Sequence, residues 1–510
     1  MATTDSRRWW ALGALMLAVL AVGLDGTILS VALPTLAGAL RATETDLQWF
    51  SSGYLLVLAA AMLPAGLLGD RLGRRRVMLA ALALFGAGSA ACALAPTADA
   101  FIAARIVLGL AGAGIIVMAL SALTVMFDEA ERPRAVGVWA AANFVALPVG
   151  PILGGWLLTH AWWGWVFLIN VPVALVGLIA GLALVPESRA PERPGLDPVG
   201  VLASTAGLVG LAYGFVEAGQ RGWTDPVVLG PIAAGLVALV AFFLWERRLG
   251  RRPGGRPLVD LELFRSGAFT WGVLLAALMG LAMVGVIFTL PQYFQAVAGT
   301  DAMGSGVRLL PLIAGLVAGA LPADRVAALV GRRTVVAAGF ALLAAGMAVG
   351  ATTSVASSGW FVAAWMVLVG AGTGLTMSTA AATALSALSP ERSGVGSAVM
   401  QAVQKVGGPF GVAIMGSVLS TAYQADLHAA NLPQAARDSV FGGLAVAERL
   451  GSAPLAASVR AAFVHGMDAA LLISAGMALA GIVLTVVFLP GRTAAGVETP
   501  VEERPVVVRG

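Results

Sequence analysis

The chain has almost none of the side chains that enzymes use for chemistry. Its 510 residues include one cysteine, three histidines and one lysine, and only 11% are charged. Cys92 stands alone inside an apolar run, which excludes a disulfide framework and a cysteine-ligated metal cluster. His160, His428 and His465 have no metal-ligand spacing between them, so no metal site is expected. No glycine-rich phosphate cradle of the Walker type is present, and a nucleotide is not expected as partner or as energy source. Charge is scarce in a way soluble domains do not show. They are about 25% charged and about 45–50% apolar, whereas this chain is 59% hydrophobic with mean hydropathy +0.90. The net charge of +4 sits in arginines that flank apolar runs, so it points to orientation in a bilayer and not to nucleic acid.

What the sequence does have is long hydrophobic runs. A membrane-crossing helix needs about 20 apolar residues, and fourteen such runs occur, from 10–33 to 467–489. The first follows Arg7 and Arg8 but contains Asp25 and is too long for a cleaved leader, so it reads as a retained span. With the N-terminus inside, the inner segments hold 23 arginines and the outer ones six, three of which fall in one long loop at 422–466. Both termini are therefore expected on the cytoplasmic side.

Two hydrophilic linkers, Pro186 to Asp197 and Glu246 to Arg265, bracket the seventh and eighth runs. The expected organisation is an all-α polytopic membrane protein: a six-helix bundle at 1–185, linkers with two additional helices at 186–265, and a second six-helix bundle at 266–490. The outer loop 422–466 is expected to form short surface helices, and 491–510 is expected to be a disordered cytoplasmic tail.

Between the second and third runs lies Gly66-Leu67-Leu68-Gly69-Asp70-Arg71-Leu72-Gly73-Arg74-Arg75-Arg76, a short hairpin whose glycines allow a tight turn and whose Asp70 can meet a helix N-terminus or an arginine. It resembles the G-x-L-x-D-R-x-G-R-[RK] motif of the major facilitator superfamily of secondary transporters. Ala328 to Arg333 looks like a decayed copy in the second half, with the acid position lost unless Asp324 replaces it. The run Leu24-Asp25-Gly26-Thr27-Ile28-Leu29-Ser30-Val31-Ala32-Leu33-Pro34 is similar to the opening of the fourteen-span drug/proton antiporters of that superfamily. Arg105 with Gly109 resembles their R-x-x-x-G element, although Leu108 replaces a common Gln. Gly150-Pro151 and Gly154-Gly155 resemble their G-P-x-x-G-G antiporter element, and Trp165 to Pro172 and Leu290 to Gln295 also look like this family.

The resemblance implies a proton-coupled exporter of small amphipathic or drug-like compounds in a bacterial inner membrane, working by alternating access. It implies the proton as coupling ion, no other cofactor, a lipid bilayer as surroundings and a functional monomer. Rival readings are a proton-coupled uptake symporter or facilitator of a small metabolite and, more remotely, a lipid-modifying membrane enzyme. The scarcity of paired carboxylates, histidine and cysteine counts against the enzyme.

Elementary energetics selects the residues to watch. An ionised side chain in mid-span costs about 2.5–3.5 kcal/mol on insertion scales and normally faces a cavity and a partner. Helical rise puts Asp25 about 22 Å from the inner edge and Arg105 about 8 Å from the outer edge of a core about 30 Å thick. These depths nearly coincide, so the two are expected to pair and to couple proton movement to substrate, or else to form a static bridge. Lys405, with Gln401 and Gln404 beside it, is expected near mid-span in the thirteenth run; it lines the cavity or snorkels to the interface. Asn143 and Tyr293 are further cavity candidates. Gly66, Asp70, Arg71, Gly73 and Arg74 are expected to latch the bundles. Gly150, Pro151, Gly154 and Gly155 are expected to pack a bent helix tightly enough to seal a pathway. Glu217 reads as interfacial.

Overall fold

Every regular element among the described residues is helical. The computed structural model describes residues 3–127, 131–189, 197–252, 257–386, 388, 393–427 and 432–489, and their side chains except at 3–7, 124–125, 132–134, 136–137, 139–144, 147–148, 220, 393–395 and 397–398. The tail at 491–510 and the side chain of Asn143 thus lie outside the described residues.

The first half comprises α1 (Thr3–Ala39), α2 (Glu44–Leu72), α3 (Arg74–Ala93), α4 (Ala98–Met126), α5 (Arg132–His160), the single turn α6 (Trp165–Leu168) and α7 (Asn170–Leu184). Two helices follow, α8 (Pro198–Arg221) and α9 (Pro226–Gly250). The second half holds α10 (Gly267–Gln292), α11 (Ala302–Arg308), α12 (Leu310–Ala320), α13 (Ala323–Val330), α14 (Arg332–Gly350), α15 (Gly359–Ser386) and α16 (Ser393–Asp426). It ends with α17 (Gln434–Asp438), α18 (Val440–Arg449) and α19 (Ala453–Phe488). Thirteen spans among the described residues are long and apolar enough to cross a membrane, and α5, at 29 residues, stands between the fourth and fifth of them.

Helix ends follow local chemistry. Thr43 and Asp46 form a reciprocal capping box on α2, the Thr43 N–H donating to the Asp46 carboxylate at 2.8 Å. Asp197, Asp225 and Ser452 cap α8, α9 and α19 with side-chain oxygens. The last helix begins well before the apolar run at 467–489 because Ser452 caps it there. The expected outer loop is consequently shorter, with α17 and α18 packed inside it.

The two halves repeat one packing plan. α2 lies on α4, α3 on α4 and on α7, and α1 on α5; correspondingly α12 lies on α15, α14 on α15 and on α19, and α10 on α16. Even the hairpin turns match, Gly73 having φ 112° and Gly331 φ 91°, a region open to glycine at little cost. Asp324 is exposed and does not take the place of Asp70 in that repeat. Across the seam, α2 meets α16 and α5 meets α11, while α8 lies against both α2 and α16. α9 is outermost, and Val237, Val240, Phe243 and Leu244 stand more than half exposed on it. Such a surface suits hydrocarbon and not water.

Without a hydrophobic drive between helices in lipid, close packing has to come from small residues. On the α12–α15 seam Gly315 and Gly319 oppose Gly370 and Gly374, and a Cβ on Gly370 would lie 2.7 Å from the Leu316 backbone nitrogen. Gly370→Val should therefore separate two backbones and lower stability by about 1–3 kcal/mol or more. A thermal melt of the purified protein in detergent checks this, and an unchanged midpoint would show that the seam is looser than described.

Candidate functional site

Asp25 on α1 and Arg105 on α4 are the most completely buried pair of opposite charges, at 1% and 0% exposure. Arg105 Nη1 donates to Asp25 Oδ2 at 2.5 Å and its Nε donates to the Phe50 carbonyl of α2 at 3.0 Å. The guanidinium lies over the Tyr54 ring, 4.1 Å from its centroid, and the Tyr54 hydroxyl donates to the Val22 carbonyl at 3.2 Å. Asn170, at the start of α7, reaches the other carboxylate oxygen at 3.5 Å. Four helices thus converge on one ion pair.

The R-x-x-x-G spacing explains how Arg105 reaches α2. Gly109 lies one turn on along the same face of α4, and a Cβ there would be 3.2 Å from the Leu58 backbone nitrogen and 3.2 Å from the Val57 Cβ. Bare at Gly109, α4 lets α2 come close enough for Arg105 to bond its backbone. Leu108 points elsewhere: it is fully buried against Gly88 of α3.

Arg105 and Tyr54 line a cavity of about 40 Å³ between the halves, together with Gly26, Ser30 and Ser51 from the first half and Val284, Ile287, Phe288 and Val412 from the second. That volume is large enough for a water molecule and too small for a drug-sized one. A second, smaller and almost wholly apolar cavity runs past Thr27, Ser30 and Pro151 to Met283 and Leu312. The walls of the two cavities are mostly apolar, with a few hydroxyls and one guanidinium.

The Gly-Pro segment of α5 sits on this seam. Thr27 donates to the Ala146 carbonyl at 3.0 Å, and a Cβ on Gly154 would lie 2.8 Å from the Ile28 side chain. Gly150 is pressed equally tightly against Thr27. On the other side a Cβ on Gly155 would fall 2.6 Å from the Met303 Cα of α11, and Gly306 abuts the Pro151 carbonyl. One stretch of α5 therefore grips α1 and the second half together, near the end of the molecule opposite the arginine hairpin.

The hairpin residues are tied within the first half. Arg74 donates to Asp70 Oδ1 from Nε at 3.0 Å and Nη2 at 2.8 Å. Its backbone N–H meets the Ser188 carbonyl at 2.9 Å, and Arg76 lies 3.6 Å from Glu187. A Cβ on Gly73 would collide with the Glu187 carboxylate at 2.5 Å, and Gly66 packs on Val117 of α4. Arg71 is exposed. The expected latch between bundles is thus, in this conformation, a clasp between α2, α3 and the end of α7.

In α16, Gln401, Lys405, Gly408 and Val412 fall on one helical stripe. Gly408 faces Leu55 of α2 and Val412 lines the cavity, so Lys405 lies two turns from the cavity towards the hairpin end, with its side chain exposed. The backbone of Gln404 faces Gly280 of α10 instead. Tyr293, expected on the cavity wall, is buried in the second half and donates to the Ser354 carbonyl at 3.4 Å. The reason is the π-turn Tyr293–Val297 that ends α10, which swings Gln295 across the seam to donate to the Val31 carbonyl at 3.0 Å. Glu217 pairs with Arg221 at 2.8 Å.

Sequence reasoning did not find Tyr54, Phe50 or Asn170. Asn170, a lone amide in an apolar run, carried a usable signal; the Phe50 carbonyl carried none.

Residues 15–412 match the family model described as Major Facilitator Superfamily. The chain belongs to the major facilitator superfamily. Among its relatives, a tetracenomycin C resistance and export protein of Streptomyces glaucescens is 33% identical, over 98% of this chain and 94% of that protein. The multidrug efflux pump LfrA of Mycolicibacterium smegmatis is 33% identical over 94% of this chain and 95% of its own length. The puromycin resistance protein pur8 of Streptomyces alboniger is 32% identical over 97% and 94%. Among solved structures, a bacterial homologue of the lysosomal transporter Spinster, inward-facing and unoccupied, superposes with a TM-score of 0.66 at 17% identity, over 95% of this chain and 98% of that one. A D-xylose–proton symporter gives 0.59 at 14% identity, over 94% and 98%. At these identities the structures establish the fold, and family and fold together point to transport by a multi-pass membrane protein.

Gly155→Val should pry α5 from α11 while leaving the Asp25 site intact. Amide exchange over residues 150–160 and 302–310 is then expected to quicken about tenfold or more, equivalent to about 1.4 kcal/mol of lost protection. Unaltered exchange would show that the Gly-Pro segment does not hold the seam.

Proposed function

We propose that the chain is a fourteen-span, proton-driven exporter of small amphipathic or drug-like compounds, with both termini cytoplasmic and a monomer as the working unit. The observation that carries this reading is the Asp25–Arg105 pair, buried among four helices with its guanidinium on the wall of the cavity between the halves. The names of the relatives, resistance and export proteins and an efflux pump, support export over uptake. The arginine asymmetry supports the orientation, which puts the Gly-Pro seal at the outer side and the hairpin clasp at the inner side.

The mechanism follows from charge in a dry site. While Asp25 is ionised it holds Arg105 back through a bond that is strong in a low dielectric. A proton on Asp25 removes that hold, and Arg105 keeps only the Phe50 carbonyl and the Tyr54 face. Arg105 and Tyr54 then re-aim into the cavity, which alters the walls that a guest touches. Proton binding and guest binding thus compete for one cluster, which couples proton entry to guest release.

Asp25→Asn keeps an acceptor for Arg105 but cannot titrate. The variant should insert and fold, while efflux driven by an imposed pH gradient should fall to the leak rate. Proteoliposomes with an internal pH dye measure both. Gradient-driven export at the parental rate would make Asp25 structural.

Lys405 bears on which compounds are carried. When protonated, its amine places a positive charge on the stripe that leads from the hairpin end to the cavity. Lys405→Gln is expected to improve export of cationic compounds relative to anionic ones severalfold, with proton movement retained. A panel of cationic, neutral and anionic dyes reads the ratio, and an unchanged ratio would assign Lys405 to the interface.

A further inference from the structure

At the end of the molecule opposite the hairpin, the first turns of α2 carry a polar cluster into an otherwise apolar seam. Glu44 is 2% exposed, and Gln48, one turn on, and Gln292 of α10 are fully buried. Gln292 lies beside the Glu44 carboxyl, its amide donating to the Phe288 carbonyl at 3.4 Å, and Tyr423 of α16 lies near the same carboxyl. Gln48 is pressed on α16, where a Cβ on Gly416 would lie 2.5 Å from its Cδ. The cluster therefore bridges the two halves.

Its hydrogen bonding is out of balance. Glu44 Oε1, Thr45 Oγ1, Gln48 Oε1 and Gln292 Oε1 are all buried without a partner, as is Gln48 Nε2. Acceptors outnumber donors, and an unpaired buried polar group is costly. No arginine, lysine or histidine pairs with Glu44 among the described residues. Of the six arginines at this end, Arg460 is bonded to the Ala296 carbonyl, Arg308 lies over the Phe294 ring, Arg221 is paired with Glu217, and Arg41, Arg437 and Arg449 are exposed. The Tyr423 hydroxyl is turned away, donating to the Ala436 carbonyl at 2.8 Å. Acids gather instead: Asp46 caps α2, and Asp438 of α17 faces it. The Asp438 carboxyl is held above its ordinary range by burial, lowered somewhat by the Gln434 amide and raised again by Asp46. A carboxylate in this seam has no counter-charge among the described residues, whereas a carboxylic acid is neutral and adds a donor for the unpartnered oxygens around it.

We propose that Glu44 is a second proton-binding group, separate from Asp25, which holds a proton whenever the seam between α2, α10 and α16 is shut and releases it to the adjoining medium when the seam opens. Opening wets Glu44 and lets it ionise; closing requires that the proton be taken up again. The orientation of this end towards the outside rests on the reading above, but the link between seam and proton does not. The sign is fixed. Low pH favours the shut seam, and rising pH favours the open one, by up to about tenfold in their ratio per pH unit for a single proton.

The test uses the full chain in nanodiscs, with no substrate and no gradient. In a Cys92→Ser background, spin labels at Ala161→Cys and Ala298→Cys report the distance across this end. The expected result is a short distance at pH 5 and a growing longer population towards pH 9. Glu44→Gln, which stays neutral, should hold the short distance throughout. Glu44→Asp, which can titrate, should restore the pH response, and Asp25→Asn should leave it in place. The proposal is overturned if the parent shows no pH response, if Glu44→Gln keeps it, or if Asp25→Asn abolishes it. Loss of transport by any of these variants leaves this readout untouched, so a failure of the export reading is told apart from a failure here.

Discussion

The structure depends on one constraint: a charge placed among apolar helices must be answered within a few ångströms. Asp25 and Arg105 meet it at 2.5 Å, and the remaining valences of the guanidinium are used by the Phe50 carbonyl and the Tyr54 ring. Removing one partner of such a pair typically costs about 3–5 kcal/mol, because the other is left buried and uncompensated. The arrangement of α1, α2, α4 and α7 is therefore fixed around that point. The glycines next to it serve the same end, since only a bare α4 surface at Gly109 lets Arg105 touch the α2 backbone.

The glycine seams have a second consequence. Backbone-to-backbone contact at Gly155 against Met303, or at Gly370 against Leu316, leaves no room for a graded adjustment, so such a seam is either shut or parted. Two kinds of seam can be distinguished by what they join. The α12–α15 seam lies inside one half and holds it rigid. The α5–α11 seam joins the halves, and its parting would open the small cavities beside Arg105 and Ser30 to a guest. Rigid halves with bistable junctions are what alternating access needs.

Much of this was legible in the sequence, for a physical reason. The bilayer forces apolar runs about 20 residues long, so the helices and their order could be read directly, and an acid in mid-span is conspicuous for its cost. The depth argument for Asp25 and Arg105 needed only the rise per residue. Side-chain direction was less legible. Tyr293 lies in a recognisable run, yet the π-turn that follows Gln292 sends it into the core and sends Gln295 across the seam. The hairpin residues were recognisable too, but their clasp on Glu187 and Ser188 at the end of α7 was not, because it is a contact between distant parts of the chain. Glu44 was invisible because an acid in the first turn of a helix normally complements the dipole at the surface. Its neighbour Asp46 does that in the capping box, while Glu44, two residues earlier, faces inward.

That difference between Glu44 and Asp46 shows how burial sorts acids by task. Asp46 and Asp70 sit where water or an adjacent donor completes their shells, and each fixes local structure: a helix cap in one case, a hairpin clasp with Arg74 in the other. Asp25 is buried with a cation, so its proton and Arg105 compete for the same carboxylate. Glu44 is buried with amides and, among the described residues, no cation, so a proton is what neutralises its charge there. Asp25 and Glu44 are consequently placed to respond to different events. As proposed, one would sense what occupies the cavity beside Arg105, and the other whether the seam beside it is closed. If the chain moves protons one way and guests the other, as proposed, those events have to be kept in order, and two acids with different partners would provide the means.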